Sequence, residues 1–387
     1  MKSVPRTVWA LGIVSLCMDL SSELVHGLLP LFLTGVLGAS MLAVGLVEGI
    51  AEATASIVKA FSGALSDRIG RRKPLVVFGY ALAALSKPLF PLAASVPLVL
   101  GARFMDRIGK GIRGAPRDAL IADVTPPELR GAAYGLRQAL DTAGAVLGPL
   151  AAVGLMLLLA GDIRTVLWVA VVPALISVAV LVIFVREPDA SRPRSGGNPV
   201  SFRNLGSLGA AYWAIVALGA VLTLARFSEA FLVLRAQDLG IALALVPLVL
   251  VVMNVVYTAV AYPAGVAADK GHRRALLAWG LAALIAADLV IGASSSVAAL
   301  FAGIVLWGAH MGLTQGLLST LVAQAAPAAL RGTAFGVFHL VSGIALLAAS
   351  VLAGWLWASF GPAATFFAGA AFCAVALAGL MAVTQRR

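Results

Sequence analysis

The chain has 387 residues, 61% of them hydrophobic and 12% charged, where an ordinary soluble domain carries about 25% charged residues. A mean hydropathy of +1.00 excludes a disordered chain and a soluble enzyme alike, because so much apolar surface requires a lipid environment. The 28 Lys and Arg against 17 Asp and Glu, a net charge of +11, would point to nucleic acid in a soluble protein. Here the basic residues fall in alternate connectors, the pattern that orients a polytopic membrane protein, so the bilayer and not nucleic acid is the expected partner.

Taken in chain order, apolar stretches bounded by Gly, Pro or charge predict spans near 7–34, 41–65, 74–94, 96–116, 131–159 and 165–185. A second set follows near 207–235, 241–267, 274–293, 296–325, 332–358 and 361–384. The basic residues 2–6 ahead of the apolar residues 8–17 resemble a signal peptide, but no small-residue cleavage site follows and the pattern runs on through Leu33, so this is the first span. Cys17 and Cys373 lie inside apolar runs and read as small packing residues, neither a disulfide nor metal ligands. Residues 186–204, rich in Pro, Ser, Gly and Arg, are the one long polar run and predict a linker over 186–206 between bundles at 1–185 and 207–387. Connectors 2-3 (Arg68, Arg71, Arg72, Lys73), 4-5 (Arg117, Arg130), 6-7 (Arg186, Arg192, Arg194, Arg203) and 8-9 (Lys270, Arg273, Arg274) are basic, as are both ends. Connectors 1-2, 3-4, 9-10 and 11-12 carry no Lys or Arg, so both termini are expected in the cytoplasm.

The two sets repeat. Gly63-x3-Asp67-Arg68-x-Gly70-Arg71-Arg72 recurs as Gly265-x3-Asp269-Lys270-x-x-Arg273-Arg274, and Leu129-Arg130-Gly131 with Tyr134-Gly135 recurs at nearly the same offset as Leu330-Arg331-Gly332 with Phe335-Gly336. Two independent motifs at one offset predict a duplicated six-helix unit. Parallel repeats of this kind belong to a transporter architecture whose substrate site lies near the bilayer midplane, between the repeats.

On these residues the chain resembles the major facilitator superfamily over essentially its whole length. Gly63, Asp67, Arg68, Gly70, Arg71 and Arg72 resemble that family's signature loop between the second and third helices, and Gly265, Asp269, Arg273 and Arg274 its degraded second copy. The resemblance implies a gate in which the Asp and the basic residues cap neighbouring helix ends on the cytoplasmic side in the outward-open state. A role in orientation alone would require the arginines but not Asp67 or the glycine spacing. Gly135-x8-Gly144-x3-Gly148-Pro149 in the fifth span is similar to the motif of the family's exporting antiporters. Glycines on one helix face admit close backbone approach and Pro permits a bend, which generic helix packing also uses. Arg107-x3-Gly111 in the fourth span resembles the motif associated with proton coupling, in which an Arg near a carboxylate eases loss of its proton. Gly109-x-Gly111-x-x-Gly114 matches a dinucleotide fingerprint by spacing alone; it has no preceding strand and lies at the end of a membrane helix.

An ion at the bilayer centre costs about 2.5–3.5 kcal/mol on insertion scales, so each charge within a span needs a reason. Asp19, Glu23 and His26 share one stripe of the first span, as a protonation site or a cation-attracting site facing an aqueous cavity requires. Glu48, Glu52 and Lys59 form a stripe on the second, with Glu52 and Lys59 close enough for partial neutralisation; they read equally as cavity residues or as structural ion pairs with Arg103, Asp106 and Arg107. Arg137 with Asp141, and Arg226 with Glu229, are spaced to pair within their own helices. Arg226 and Glu229 are also candidate substrate contacts, because the resemblance implies a seventh helix on the cavity. Lys87 and Asp288 read as structural. His310 and Gln315 on the tenth span, with Asn254 and Tyr257 on the eighth, are candidate polar contacts, although a lone His in a span is more often a satisfied core residue than a ligand.

The chain contains no zincin pair, nucleophile elbow, Walker lysine or metal-spaced cysteine pair. No enzyme activity, cofactor or resident metal is therefore expected, and uphill transport would draw on an ion gradient. The sequence thus predicts an all-α polytopic membrane protein with twelve transmembrane helices in two six-helix repeats. Its predicted role is that of a monomeric transporter of the cell inner membrane, exporting a small, cationic or metal-related solute in exchange for protons. A proton symporter importing a nutrient or metal chelate is the alternative with the same fold. A non-transporting receptor or scaffold is the alternative from another class.

Overall fold

The computed structural model describes residues 4–69, 71–187, 205, 208–314, 316–327 and 330–385, and among them every regular element is helical. The first half of the chain forms α1 (Arg6–Leu31), which runs on as a π-helical turn over Phe32–Val36, then α2 (Met41–Ile69), α3 (Lys73–Ser86), α4 (Leu89–Leu92), α5 (Val96–Val124), α6 (Arg130–Leu158), α7 (Ile163–Val169) and α8 (Val171–Phe184). The second half forms α9 (Ala210–Ala225), α10 (Ala230–Asp238), α11 (Leu248–Asp269), α12 (Arg273–Ala293), α13 (Val297–Thr314), α14 (Leu317–Ala325), α15 (Arg331–Phe360) and α16 (Pro362–Gln385). Residues 188–204, the body of the expected linker, lie outside the described residues, as do Gly70 and Gln315 and the side chain of Asp67.

Among the described residues eleven helical stretches are long and apolar enough to cross a membrane, and they coincide with eleven of the predicted spans. The exception is α5, a single 29-residue helix in which eight side chains are charged. It tolerates them because Arg103, Asp106, Arg107 and Arg113 are turned inwards and buried. Four predicted spans are interrupted among the described residues; the third breaks between Ser86 and Leu89 and the sixth at Ala170. The seventh breaks between Ala225 and Ala230, and the tenth between Thr314 and Leu317, where Gly316 adopts φ +71°. The eighth span starts at Leu248 and not near 241, because residues 243–247, ending in Pro247, form turns.

The internal repeat recurs in the packing. A methyl group at Gly111 of α5 would lie 2.6 Å from Val58 Cβ and 3.1 Å from the Ala55 carbonyl oxygen of α2. At the equivalent place in the second half, a methyl group at Gly312 of α13 would lie 2.7 Å from Val260 Cβ and 3.0 Å from the Tyr257 carbonyl oxygen of α11. Small residues at these crossings let backbones touch, the usual basis of helix association in lipid. Two of the three glycines of the nominal dinucleotide fingerprint are thus accounted for by packing, since Gly109 sits on Gly79 of α3 in the same way, whereas Gly114 meets nothing within 4 Å.

Buried apolar residues divide unequally along the molecule. At the end away from the basic connectors, one continuous core joins both halves, running from Leu28, Phe32 and Val44 to Phe231, Val249 and Trp307. At the end of the basic connectors each half has its own core: Leu11, Val14, Val76 and Leu120 in the first, Tyr212, Val216, Val322 and Phe338 in the second. The halves are therefore fused at one end and parted at the other.

Candidate functional site

A cavity of about 400 Å³ opens between the halves, lined by α1, α2 and α5 on one side and by the α9–α10 break, α13, α14 and α15 on the other. Of the residues expected there, Glu23, His26, Glu52, Arg107, Arg226 and Glu229 all line it. Lys110, Phe227 and Trp307 line it as well. Lys110 was visible in the sequence as a basic residue in the fourth span, and its place one turn after Arg107 was the signal for it.

One ion pair and one histidine–carboxylate contact organise the wall. Arg107 Nη2 lies 2.8 Å from Glu52 Oε1, and Glu52 keeps 32% of its side chain exposed. His26 Nε2 lies 3.5 Å from Glu229 Oε2, so α1 of the first half meets the broken helix of the second. Behind His26, Arg103 Nη2 lies 2.9 Å from His26 Nδ1 and donates to Glu48 Oε2, also at 2.9 Å. With Nδ1 facing the guanidinium, Nε2 is left to donate towards Glu229. Ser228 closes the chain: its hydroxyl donates to Glu48 Oε2 at 3.4 Å and accepts from Ala230 N at 3.2 Å, while its own N–H donates to Ser350 Oγ at 3.3 Å. The interrupted helix is thus held open at the cavity by contacts from three other helices.

Several expectations are corrected by these partners. Glu52 pairs with Arg107 and not with Lys59, which is exposed and forms no ion pair with a described residue. Arg226 and Glu229 do not pair with each other, because the helix breaks between them and the i to i+3 geometry is lost. Glu48 is wholly buried behind the wall, on Arg103. Asp19 does not line the cavity; 23% exposed, it faces Arg113 at 4.0 Å. His310 also lies outside the cavity lining, buried with Nδ1 2.7 Å from the Gly280 carbonyl oxygen of α12. Lys87 is structural as expected, held to Asp106 Oδ1 at 2.8 Å and Ser22 Oγ at 2.9 Å. Arg137 and Asp141 pair within α6 at 2.6 Å. Asn254 donates to the Ala145 carbonyl oxygen at 3.0 Å, joining α11 to α6.

The fifth-span motif stands directly behind the carboxylates. A methyl group at Gly144 would lie 2.9 Å from Asp19 Cβ, and one at Gly148 would lie 2.7 Å from Glu23 Cβ; Pro149 reaches towards Gly27, and Gly135 has no neighbour within 4 Å of such a methyl group. In the signature loop, Arg72 Nε donates to Asp123 Oδ2 at 2.5 Å and Arg72 Nη1 to Ser66 Oγ at 3.1 Å. Glu187 accepts from the backbone N–H groups of Arg72 and Lys73, capping the start of α3. Asp123 and Glu187 were missed because they lie 51 and 115 residues from Arg72 in sequence. Arg68 and Arg71 are exposed, and Gly63 packs on Ala115. In the second copy, Arg273 Nε donates to the Ala268 carbonyl oxygen at 3.2 Å, while Asp269 and Arg274 are exposed, as is Gly265.

A cavity with ionisable walls, shared by two helical halves in an apolar, membrane-suited chain, defines a transporter and not an enzyme. The chain belongs to the Major Facilitator Superfamily, whose sequence model matches residues 11–234 and 216–387. It is similar to an MFS-type transporter of Methanocaldococcus jannaschii, at 32% identity over 95% of this chain and 92% of the relative. It is also similar to the inner membrane transport protein YajR of Escherichia coli, at 26% identity over 96% of this chain and 81% of the relative. A shorter match, 30% identical over 40% of this chain and 37% of the relative, is to the multidrug resistance protein MdtH of Edwardsiella ictaluri. Among solved structures, the bacterial homologue of the human lysosomal transporter Spinster, inward-facing and unoccupied, aligns with a TM-score of 0.75 at 17% identity over 99% of this chain and 98% of that one.

Proposed function

We propose that the chain is a monomeric, proton-coupled exporter of the cell inner membrane working by alternating access. In this reading residues 1–185 and 207–387 are two six-helix bundles, α5 is the fourth of twelve spans, and both termini are cytoplasmic. The end where the halves part carries the basic connectors, which supports a cavity facing the cytoplasm. The observation that carries the proposal is Glu23, a carboxylate on the cavity wall with no ion pair or hydrogen bond to a described residue, seated on Gly148 of the exporter-type motif. It is free to exchange a proton with water on one face and with solute in the cavity. Through the neighbouring His26–Glu229 pair, a change of charge there acts on the contact between the halves. A proton moving down 100 mV releases about 2.3 kcal/mol, enough to expel a solute when exchange is obligatory.

Everted vesicles energised to hold acid inside, with acridine orange reporting the gradient, test this. A panel of small cations, anions and dipolar solutes is added outside. An exported solute dissipates the gradient, and Glu23→Gln abolishes the response while the protein remains inserted. Dissipation undiminished in Glu23→Gln overturns the assignment. A solute that enters without moving protons, or that needs the opposite gradient, replaces export with the importing alternative.

A further inference from the structure

Among the described residues seven ionisable side chains line the cavity, and four are matched within the protein: Glu52 with Arg107, and Glu229 with His26. The other three, Glu23 on α1, Lys110 on α5 and Arg226 at the break after α9, make no ion pair and no side-chain hydrogen bond with any described residue. They are one negative and two positive charges on the wall of one cavity, and Lys110 and Arg226 come from opposite halves. Such charges inside a membrane protein are costly unless water or a ligand serves them. A purely cationic solute would satisfy Glu23 and be repelled by the other two, whereas a purely anionic one would leave Glu23 unserved. The rest of the wall combines the hydroxyl residues Ser56, Thr223, Ser228 and Ser342 with an apolar patch, the rings of Phe227 and Trp307 at a centroid distance of 5.5 Å and Leu222 and Leu346 beside them. An apolar patch with a few convergent charges fixes the orientation of a ligand, and a cavity of this volume suits a small one.

We propose that the cargo is a dipolar organic molecule. Its cationic group meets Glu23, its anionic group lies between Lys110 and Arg226, and its aromatic or aliphatic body rests on Phe227 and Trp307. This rests on the cavity being the transport site. It also fixes the sign of coupling, because the cationic group and a proton compete for Glu23 while the anionic group draws the two halves together.

The test is thermal stabilisation of the purified full-length protein by matched triples of probes: phenylalanine, its amide and its N-acetyl derivative, and the same three forms of tryptophan and of phenylalanyl-phenylalanine. The dipolar form of at least one triple is expected to raise the melting temperature well above the shift given by its two singly charged forms. Arg226→Gln and Lys110→Gln reduce that shift to the level of the amide, and Glu23→Gln reduces it to the level of the N-acetyl form. Arg226→Lys keeps most of it, which guards against a glutamine variant that fails to fold. Equal shifts from singly charged forms, shifts indifferent to Arg226 and Lys110, or no dipolar form held at all each overturn the proposal. A pH dye in weak buffer separates it from the reading above. Dipolar binding without proton release removes proton coupling and leaves this assignment, whereas proton-coupled transport of a simple cation does the reverse.

Discussion

Arg103 is a charge enclosed on every side. It is fully buried, shares one nitrogen between His26 and Glu48, and its Nε and Nη1 find no acceptor among the described residues. Breaking a buried pair strands the remaining ion, at a cost of about 3–5 kcal/mol, while replacing both partners with apolar side chains is often close to neutral. Arg103→Met is therefore expected to lower thermal stability in detergent sharply, and Arg103→Met with Glu48→Met together to recover most of it. Equal loss in the single and double variants would show that Glu48 does not depend on Arg103. At this scale the sequence exposed which residues carry charge but not whom they face. Glu23 and His26 were legible as cavity residues from their stripe. Asp19, seven residues before His26 and about 10 Å further along the axis, lies beyond the cavity and faces Arg113 instead. The Glu52–Arg107 and Glu48–Arg103 pairs are among the interhelical pairings the sequence offered for this stripe, whereas the local neutralisation of Glu52 by Lys59 that it also offered does not form.

The element that binds these charges together is α5. Its basic and acidic residues at 103, 106, 107, 113 and 117 each meet a partner, Asp106 on Lys87 just after α3 and the others on α1, α2 or α6. Its composition makes it the least membrane-like of the predicted spans, and among the described residues it is the one predicted span that is not long and apolar enough by itself to cross a membrane, although it is a continuous helix. The break at 226–229 was not legible, because no Gly or Pro marks it; contacts to His26, Glu48 and Ser350, all distant in sequence, hold it. The glycines of α5 make the packing testable. A methyl group at Gly109 would lie 2.5 Å from the Gly79 carbonyl oxygen and 2.9 Å from Ala83 N, backbone atoms that cannot swing aside, whereas Gly114 has nothing within 4 Å. Gly109→Ala is expected to destabilise by about 1–3 kcal/mol through overpacking, and Gly114→Ala to be neutral or slightly stabilising, since alanine favours helix over glycine by roughly 0.5–1 kcal/mol. Melting temperatures of the two variants, measured side by side, decide it.

For the whole molecule, the seam between α2 and α15 holds the halves together. Gly45 and Gly49 touch Ser350 and Leu347, Gly354 touches Met41 and Leu42, and Ser56 Oγ donates to the His339 carbonyl oxygen at 3.0 Å. Alternating access requires this seam to part. A Cβ at Gly343 would lie 3.5 Å from Ser56 Cβ, within the range of a disulfide. With Cys17 and Cys373 replaced by Ala, Ser56→Cys with Gly343→Cys is expected to cross-link on oxidation, to stop transport, and to recover on reduction. Full transport by fully cross-linked protein would mean that α2 and α15 do not separate there. Two short motifs in the sequence suggest a duplicated architecture, but nothing in it marks the seam, because glycines spread through apolar helices carry no sign of which neighbour they meet.

That seam is made largely of main chain lying against main chain, with few long side chains threaded across it. Surfaces of this kind slide and lift apart without unhooking rotamers, so they offer little friction. In the proposed cycle, the His26–Glu229 contact is then one of the few polar links between the halves that each stroke has to break.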